Sequence, residues 1–254
     1  MVQSHRLRRK LRAGEPVTGA IVNVQAPWFI DLVGISGFDF VMLDAEHGPI
    51  TPENVELMIR AAEQAGMTAL VRVPANVPHV ILGFLDAGAQ AIQVPHIQTA
   101  DDARRAVSAV RYPPLGSRGM STMTRAARYG FGQTAAQYVE AANREIVFVP
   151  MIETTAGVEN IDSILDVEGI DVVFVGTGDL AASMGLPGQR TSPKVREAVR
   201  HVQARAVARG IPVGLPVSDA ASAADARAQG AMLLEVAMTN MLVQTGRDLL
   251  EAIA

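Results

Sequence analysis

Eight short apolar runs rich in β-branched residues recur along the chain, at 17–24, 38–44, 68–74, 91–96, 146–153, 170–176, 211–218 and 231–238. Most are apolar at consecutive rather than alternate positions, the pattern of parallel strands covered on both faces. Between them lie stretches of helical period. The segment 53–65 puts Val55, Met58, Ile59 and Ala62 on one face, and 102–111 does the same with Ala103, Ala106, Val107 and Val110. A third, 193–209, reads as a long charged helix. Thr51 before Pro52 reads as an N-cap followed by proline at the first helical position. Gly66, Gly88, Gly210 and Gly230 each punctuate a return from helix to strand. Eight strands alternating with helices predict an α/β fold, a (β/α)8 TIM barrel with residues 1–254 as one domain. The competitor, an open doubly wound sheet, ordinarily carries a glycine fingerprint after its first strand. Here Asn23-Val24-Gln25-Ala26-Pro27 follows instead. The longest piece without an assigned element is 112–134, and a connection of that length in a compact barrel serves function or an oligomer contact.

Composition narrows the chemistry. Twenty-two basic against 26 acidic residues give a net charge of −4, scattered in both signs, which argues against a nucleic-acid partner. Zero cysteines exclude disulfides, thiol nucleophiles and thiolate metal sites. No apolar run approaches the roughly 18 to 20 residues of a membrane span. The N-terminus is basic, but Ala13-Gly14-Glu15 follows where a secretory signal needs an apolar stretch. Leu7 and Leu11, four apart, predict a short amphipathic helix capping the domain. These features lead to the expectation of a soluble, cytoplasmic protein.

In a barrel of this kind reactive groups sit where strands run into helices. The second run ends at Asp44-Ala45-Glu46-His47-Gly48; Arg72 lies in the third, His96 ends the fourth, Glu153 ends the fifth, and Asp179 follows the sixth. Glu153 and Asp179, from adjacent strands, can present two carboxylates to one hard cation such as Mg²⁺ or Mn²⁺, with Co²⁺ also accepting such ligands. An ion held this way keeps positions open for a 2-oxo acid. Gly176-Thr177-Gly178-Asp179 opens a helix over 180–184, and its backbone N–H groups suit a carboxylate or phosphate. Arg72 adds a positive fork for a carboxylate or a developing enolate oxygen. His47, three residues after Asp44, is placed to pair with it as a general base. His96 is either a third ligand or a wall of the pocket, whereas His5, His79 and His201 read as surface residues. The chain has 20 arginines but only two lysines, Lys10 and Lys194, neither on a strand facing the lumen. Schiff-base chemistry needs such a lysine, so carbonyl activation falls to a metal.

Several of these segments resemble the HpcH/HpaI aldolase family. They are Asp44-Ala45-Glu46-His47-Gly48-Pro49, Leu70-Val71-Arg72-Val73-Pro74, Leu85-Asp86-Ala87-Gly88-Ala89-Gln90, Arg111-Tyr112-Pro113-Pro114, Arg118-Gly119, Ile152-Glu153-Thr154 and Val158-Glu159-Asn160-Ile161, running on to Asp179-Leu180-Ala181. The resemblance covers nearly the whole chain in one order. It implies a class II, metal-dependent pyruvate aldolase that cleaves 4-hydroxy-2-oxo acids, such as 4-hydroxy-2-oxoheptanedioate or 2-keto-3-deoxy sugar acids, to pyruvate and an aldehyde. Glu153 and Asp179 match the family's metal ligands, His47 its base, Asp44 the partner of that base, and Arg72 its pyruvate and enolate clamp. The backbone at Thr177, Gly178 and Asp179 matches its carboxylate cradle. Asp86 matches an acid supplied by a neighbouring subunit, so a homo-oligomer, a hexamer built from dimers, is implied. Two positions depart: Met151 stands where some members have Gln, and His96 where others have an apolar residue. Rival readings are an oxaloacetate-type decarboxylase on the same site and a barrel that binds a 2-oxo acid without catalysis.

Overall fold

The computed structural model describes residues 5–253. All eight predicted strands form: β1 (Val17–Val22), β2 (Phe40–Asp44), β3 (Thr68–Arg72), β4 (Ala91–Val94), β5 (Val147–Ile152), β6 (Val173–Val175), β7 (Val213–Val217) and β8 (Leu233–Ala237). They pair in parallel in sequence order, and β8 closes on β1. Around them run α1 (Arg6–Arg12), α2 (Pro27–Ile35), α3 (Pro52–Gln64), α4 (Pro78–Ala87), α5 (Ala100–Val110), α6 (Ala135–Glu145), α7 (Thr155–Glu159), α8 (Ile161–Leu165), α9 (Thr177–Ser183), α10 (Pro193–Val207), α11 (Ala220–Ala228) and α12 (Met238–Ala252). The fold is a (β/α)8 barrel. Thr51 caps α3 as predicted, with the Asn54 side chain accepting the Thr51 backbone N–H at 3.0 Å. Gly66, Gly88, Gly210 and Gly230 all take positive φ at the helix ends where the sequence placed them.

Two apolar cores result, one on each face of the sheet. The outer one lies between strands and helices, and includes Val55, Met58, Ile59 and Ala62 of α3 and Ala103, Ala106 and Val107 of α5. The inner one fills the lumen with Phe40, Met42, Leu70, Val149, Met151, Phe174 and Leu233. Gly19 makes this possible: a Cβ there would lie 2.2 Å from the Phe40 ring. Leu7 of α1 joins the lumen core and is fully buried, so the N-terminal helix plugs the barrel from below.

The plug is held by polar contacts as well. Arg8 donates to the Ile146 carbonyl at 2.6 Å and pairs with Asp171, which also accepts from Arg111 and from the Phe148 N–H. His5 corrects the sequence reading. It is not a surface residue but is buried, with Nε2 2.9 Å from the Glu145 carbonyl and Nδ1 3.2 Å from the Thr68 hydroxyl. Its neighbour in sequence, α1, carries it under the barrel. His79 and His201 are exposed as expected. Burial, opposed by the Glu145 carbonyl and reinforced by the Arg8 and Arg9 charges, lowers the His5 pKa from 6.5 to about 4. The unfolded chain therefore takes up a proton here before the folded one does. Stability is expected to fall by about 3 kcal/mol as the pH drops from 6.5 toward about 4. Denaturant unfolding of the parent and His5→Gln across that window checks this; an identical pH slope in both would refute it.

The 112–134 segment does not cover the mouth of the barrel. It packs along α4 and α6, where Asn143 exchanges hydrogen bonds with the Tyr112 backbone and Arg118 pairs with Asp86 at 2.9 Å. It leaves Leu115, Met120, Met123 and Phe131 exposed. In α12 no residue is buried, and Met241, Leu242, Val243, Leu249 and Leu250 face outward. Trp28, Leu32 and Ile35 of α2 are also uncovered. No helix of the described residues is long and apolar enough to cross a membrane.

Candidate active site

The carboxyl ends of β2 to β5, with the turns that follow, bring one charged cluster together. Asp44, the last residue of β2, grips Arg72, the last of β3. Arg72 Nε and Nη2 donate to its two oxygens at 2.9 and 2.6 Å. The strand register explains the match, since Asp44 and Arg72 are direct Cα partners. Burial raises the Asp44 pKa, but the Arg72 pair outweighs it and holds the carboxyl below its ordinary value. Burial likewise disfavours the charged guanidinium, and Asp44 with Glu46 more than restores it.

Asp44 does not pair with the His47 ring. It accepts the backbone N–H groups of Glu46 and His47, at 3.1 and 3.2 Å, and so fixes the turn that displays both side chains. The His47 imidazole is 59% exposed, with Nε2 3.8 Å from Glu46 Oε2. The expected pairing with Asp44 is thus not made by the ring, and Glu46 stands beyond hydrogen-bond reach of it.

Glu46 sits at the centre. Its carboxylate is 3.3 Å from Arg72 Nη1 and 3.4 Å from His96 Nε2. His96 holds a positive φ of 55°, unusual for a non-glycine residue, and thereby turns both its backbone and its ring toward Glu153. The His96 N–H donates to Glu153 Oε1 at 2.7 Å, and Nδ1 lies 3.2 Å from the same oxygen. Among the described residues, Glu46, His96 and Glu153 bring ligand atoms within 4.8 Å of one another. Glu153 is 1% exposed, and its Oε2, like Glu46 Oε2, is buried without a hydrogen-bond partner. Gly176 leaves room for it: a Cβ there would lie 2.8 Å from Glu153 Oε2.

Asp179, in the first turn of α9, is exposed and lies outside that trio. Its charge is still felt. Burial chiefly, with Glu46 and Asp179 adding, pushes the Glu153 pKa up against the opposing pull of His96. The N–H groups of Thr177, Gly178 and Asp179 precede the first intrahelical bond of α9, from the Leu180 N–H to the Gly176 carbonyl, as a carboxylate cradle requires. Asp86 is not brought to the mouth in this chain; it stays with Arg118. A cavity of about 670 Å³ between α3, α4 and α6, lined by Arg60, Glu63, Arg118 and Tyr138, contains none of the cluster residues.

Clustered carboxylates with unpaired oxygens are costly unless a cation or protons neutralise them. The donor set, oxygen and imidazole without sulfur, fits a divalent ion. Sequence reasoning passed over Glu46, although the residue stands inside a segment it had singled out. It also missed Glu235 of β8 and Gln93 of β4, both buried in the lumen. The available signal was a polar residue in the middle of a strand apolar on both faces.

The HpcH/HpaI aldolase/citrate lyase family model matches residues 18–245. The chain belongs to this family. A hydroxypyruvate/pyruvate aldolase of Sagittula stellata is 40% identical over 195 residues, covering 77% of this chain and 76% of that protein. A 5-keto-4-deoxy-D-glucarate aldolase of Salmonella arizonae is 36% identical over 196 residues, covering 77% and 75%. Among solved structures, an HpcH/HpaI aldolase/citrate lyase family protein from Burkholderia cenocepacia superposes with a TM-score of 0.93 at 32% identity, over 98% of this chain and 99% of that one. The barrel expected from the strand pattern and the family expected from the motifs are both present.

Proposed function

We propose that this HpcH/HpaI family member is a divalent-metal-dependent aldolase that cleaves 4-hydroxy-2-oxo acids reversibly to pyruvate and an aldehyde. The observation that carries the reading is the convergence of Glu46, His96 and Glu153 ligand atoms within 4.8 Å of one another, with Glu153 Oε2 buried and without a hydrogen-bond partner. Glu153 and Asp179 would hold the ion, with Glu46 and His96 against it. Mg²⁺ or Mn²⁺ bound there supplies positive charge that polarises the 2-oxo group. The two lysines support the same conclusion. Lys10 is bound to Asp39 at the plugged end, and Lys194 lies in α10, so neither reaches the cluster.

The protein's own groups supply the rest. The N–H groups of Thr177 and Gly178 hold the substrate carboxylate. His47 accepts the C4-hydroxyl proton, and the C3–C4 bond breaks as the C4 carbonyl forms. The bond's electron pair passes into the enolate of pyruvate, whose oxygen Arg72 stabilises. The aldehyde departs, and a proton delivered to C3 releases pyruvate. The aldolase names of the relatives support the C–C lyase chemistry.

Exchange of the C3 protons of pyruvate in heavy water is the direct test, since it needs the enolate but no aldehyde. Exchange is expected with added Mg²⁺ or Mn²⁺ and is expected to disappear in excess chelator. Undiminished exchange in chelator would end the metal-dependent reading. The uncovered apolar faces of α12 and α2 support self-association, a hexamer being the assembly the resemblance implies, and light scattering after size exclusion measures it.

A further inference from the structure

His96 stands against the proposed ion site, yet the chemistry given above asks nothing of it. The residue lies just beyond β4 and holds φ at 55°. Its ring is 57% exposed, so packing does not account for a backbone conformation that non-glycine residues avoid. What the conformation secures is contact with Glu153. The His96 N–H donates to Glu153 Oε1 at 2.7 Å, and Nδ1 lies 3.2 Å from the same oxygen. Nε2, on the other side of the ring, lies 3.4 Å from Glu46 Oε1.

An imidazole set between two carboxylates is poorly satisfied on its own. The neutral ring has one N–H and one lone pair. The N–H can serve one carboxylate, but the lone pair then faces an oxygen of the other with no hydrogen between them. A cation held jointly by the lone pair and that carboxylate removes the clash. The N–H keeps the remaining carboxylate, which is the usual orienting partner of a metal-bound histidine. The spacing agrees. Ligand atoms about 2.1 Å from a common ion lie about 3.0 Å apart at a right angle and about 3.4 Å apart at the tetrahedral angle. The separations of 3.2 Å to Glu153 and 3.4 Å to Glu46 fall in that range. Oε2 of each glutamate is still without a hydrogen-bond partner.

We propose that His96 is a ligand of the active-site ion and makes this centre prefer a transition-metal dication over Mg²⁺. The inference rests on the reading of Glu153 as a metal ligand. Carboxylates alone offer hard oxygens, which suit Mg²⁺ with several of its waters kept. An added imidazole favours ions that accept nitrogen, in the order Mn²⁺, Co²⁺, Ni²⁺ of rising affinity.

Calorimetric titration of the metal-stripped protein with Mg²⁺, Mn²⁺ and Co²⁺ tests this on the parent and on His96→Asn. Asparagine tolerates a positive φ and keeps the backbone N–H for Glu153. The parent is expected to bind Co²⁺ most tightly and Mg²⁺ least. In His96→Asn, Co²⁺ affinity is expected to fall about 100-fold, while Mg²⁺ affinity changes by less than about threefold. Electron spin echo modulation of bound Mn²⁺ gives a readout that a merely structural role would not move. A directly coordinated nitrogen is expected in the parent and not in the variant. Equal losses for Mg²⁺ and Co²⁺, a gain for both on removing the ring, or a parent spectrum without the nitrogen would overturn the role given to His96 and leave the Glu153 centre standing. A parent that binds none of the three ions would remove the metal-dependent reading and this proposal together. Should the asparagine variant not fold, His96→Gly, unstrained at that φ, takes its place with the same expected outcomes.

Discussion

Arg72→Ala is expected to lose about 10²- to 10³-fold in turnover and, at the same time, about 3 to 5 kcal/mol of folding stability. The first loss follows from removing the group proposed to stabilise the enolate oxygen. The second follows from what remains: the Asp44 side chain is 4% exposed and both of its oxygens are committed to Arg72. Without the guanidinium, that carboxylate is a buried charge without a counter-ion. The stability that Asp44 contributes is complete at neutral pH, and in the parent it is lost as the pH falls below the ordinary aspartate value of 3.8. His47→Ala gives the contrast. Its ring is mostly exposed, so turnover is expected to drop about 10²- to 10⁴-fold while stability changes by less than about 0.5 kcal/mol. Turnover and denaturant unfolding measured on the same preparations separate the two. An Arg72→Ala protein as stable as the parent would contradict the buried pair.

Glu153→Gln is expected to lower Mn²⁺ affinity by more than about 100-fold, because even changes to groups that merely orient a ligand cost 10- to 100-fold. Glutamine keeps a carbonyl to accept the His96 N–H, so the fold around the residue is expected to survive the change. Calorimetric titration with Mn²⁺ reads the affinity directly, without reference to catalysis. Asp179→Asn and Glu46→Gln, titrated alongside, rank the other carboxylates. A loss for Glu46→Gln as large as that for Glu153→Gln would make Glu46 a ligand in its own right. An unchanged affinity in Glu153→Gln would move the ion elsewhere.

The eight strands were readable in the sequence because a strand buried on both faces is apolar at consecutive positions; the runs are also short and rich in β-branched residues, which matters because the apolar run 80–85 lies in α4. The site was readable to the extent that strand ends face the mouth, which brought Asp44, Arg72, His96 and Glu153 into view. Glu46 was hidden by its neighbours. In a turn, the direction of each side chain depends on local backbone geometry, here set by the hydrogen bonds from Asp44. His96 was ambiguous because its role depends on a positive φ that residue type does not announce. His5 was misread because its burial depends on α1 docking under the barrel, a tertiary event with no local signature. Glu235 was missed because one acid in an apolar run looks like a surface interruption until the barrel closes around it.

The Leu7 plug decides how traffic moves through the molecule. A lumen stoppered underneath and filled with Phe40, Met42 and Phe174 is a cup rather than a tunnel. Whatever binds among Glu153, Arg72 and His47 must leave through the opening by which it arrived. On the proposed cleavage, two products formed there would exit in turn, the outer one clearing the way for the inner.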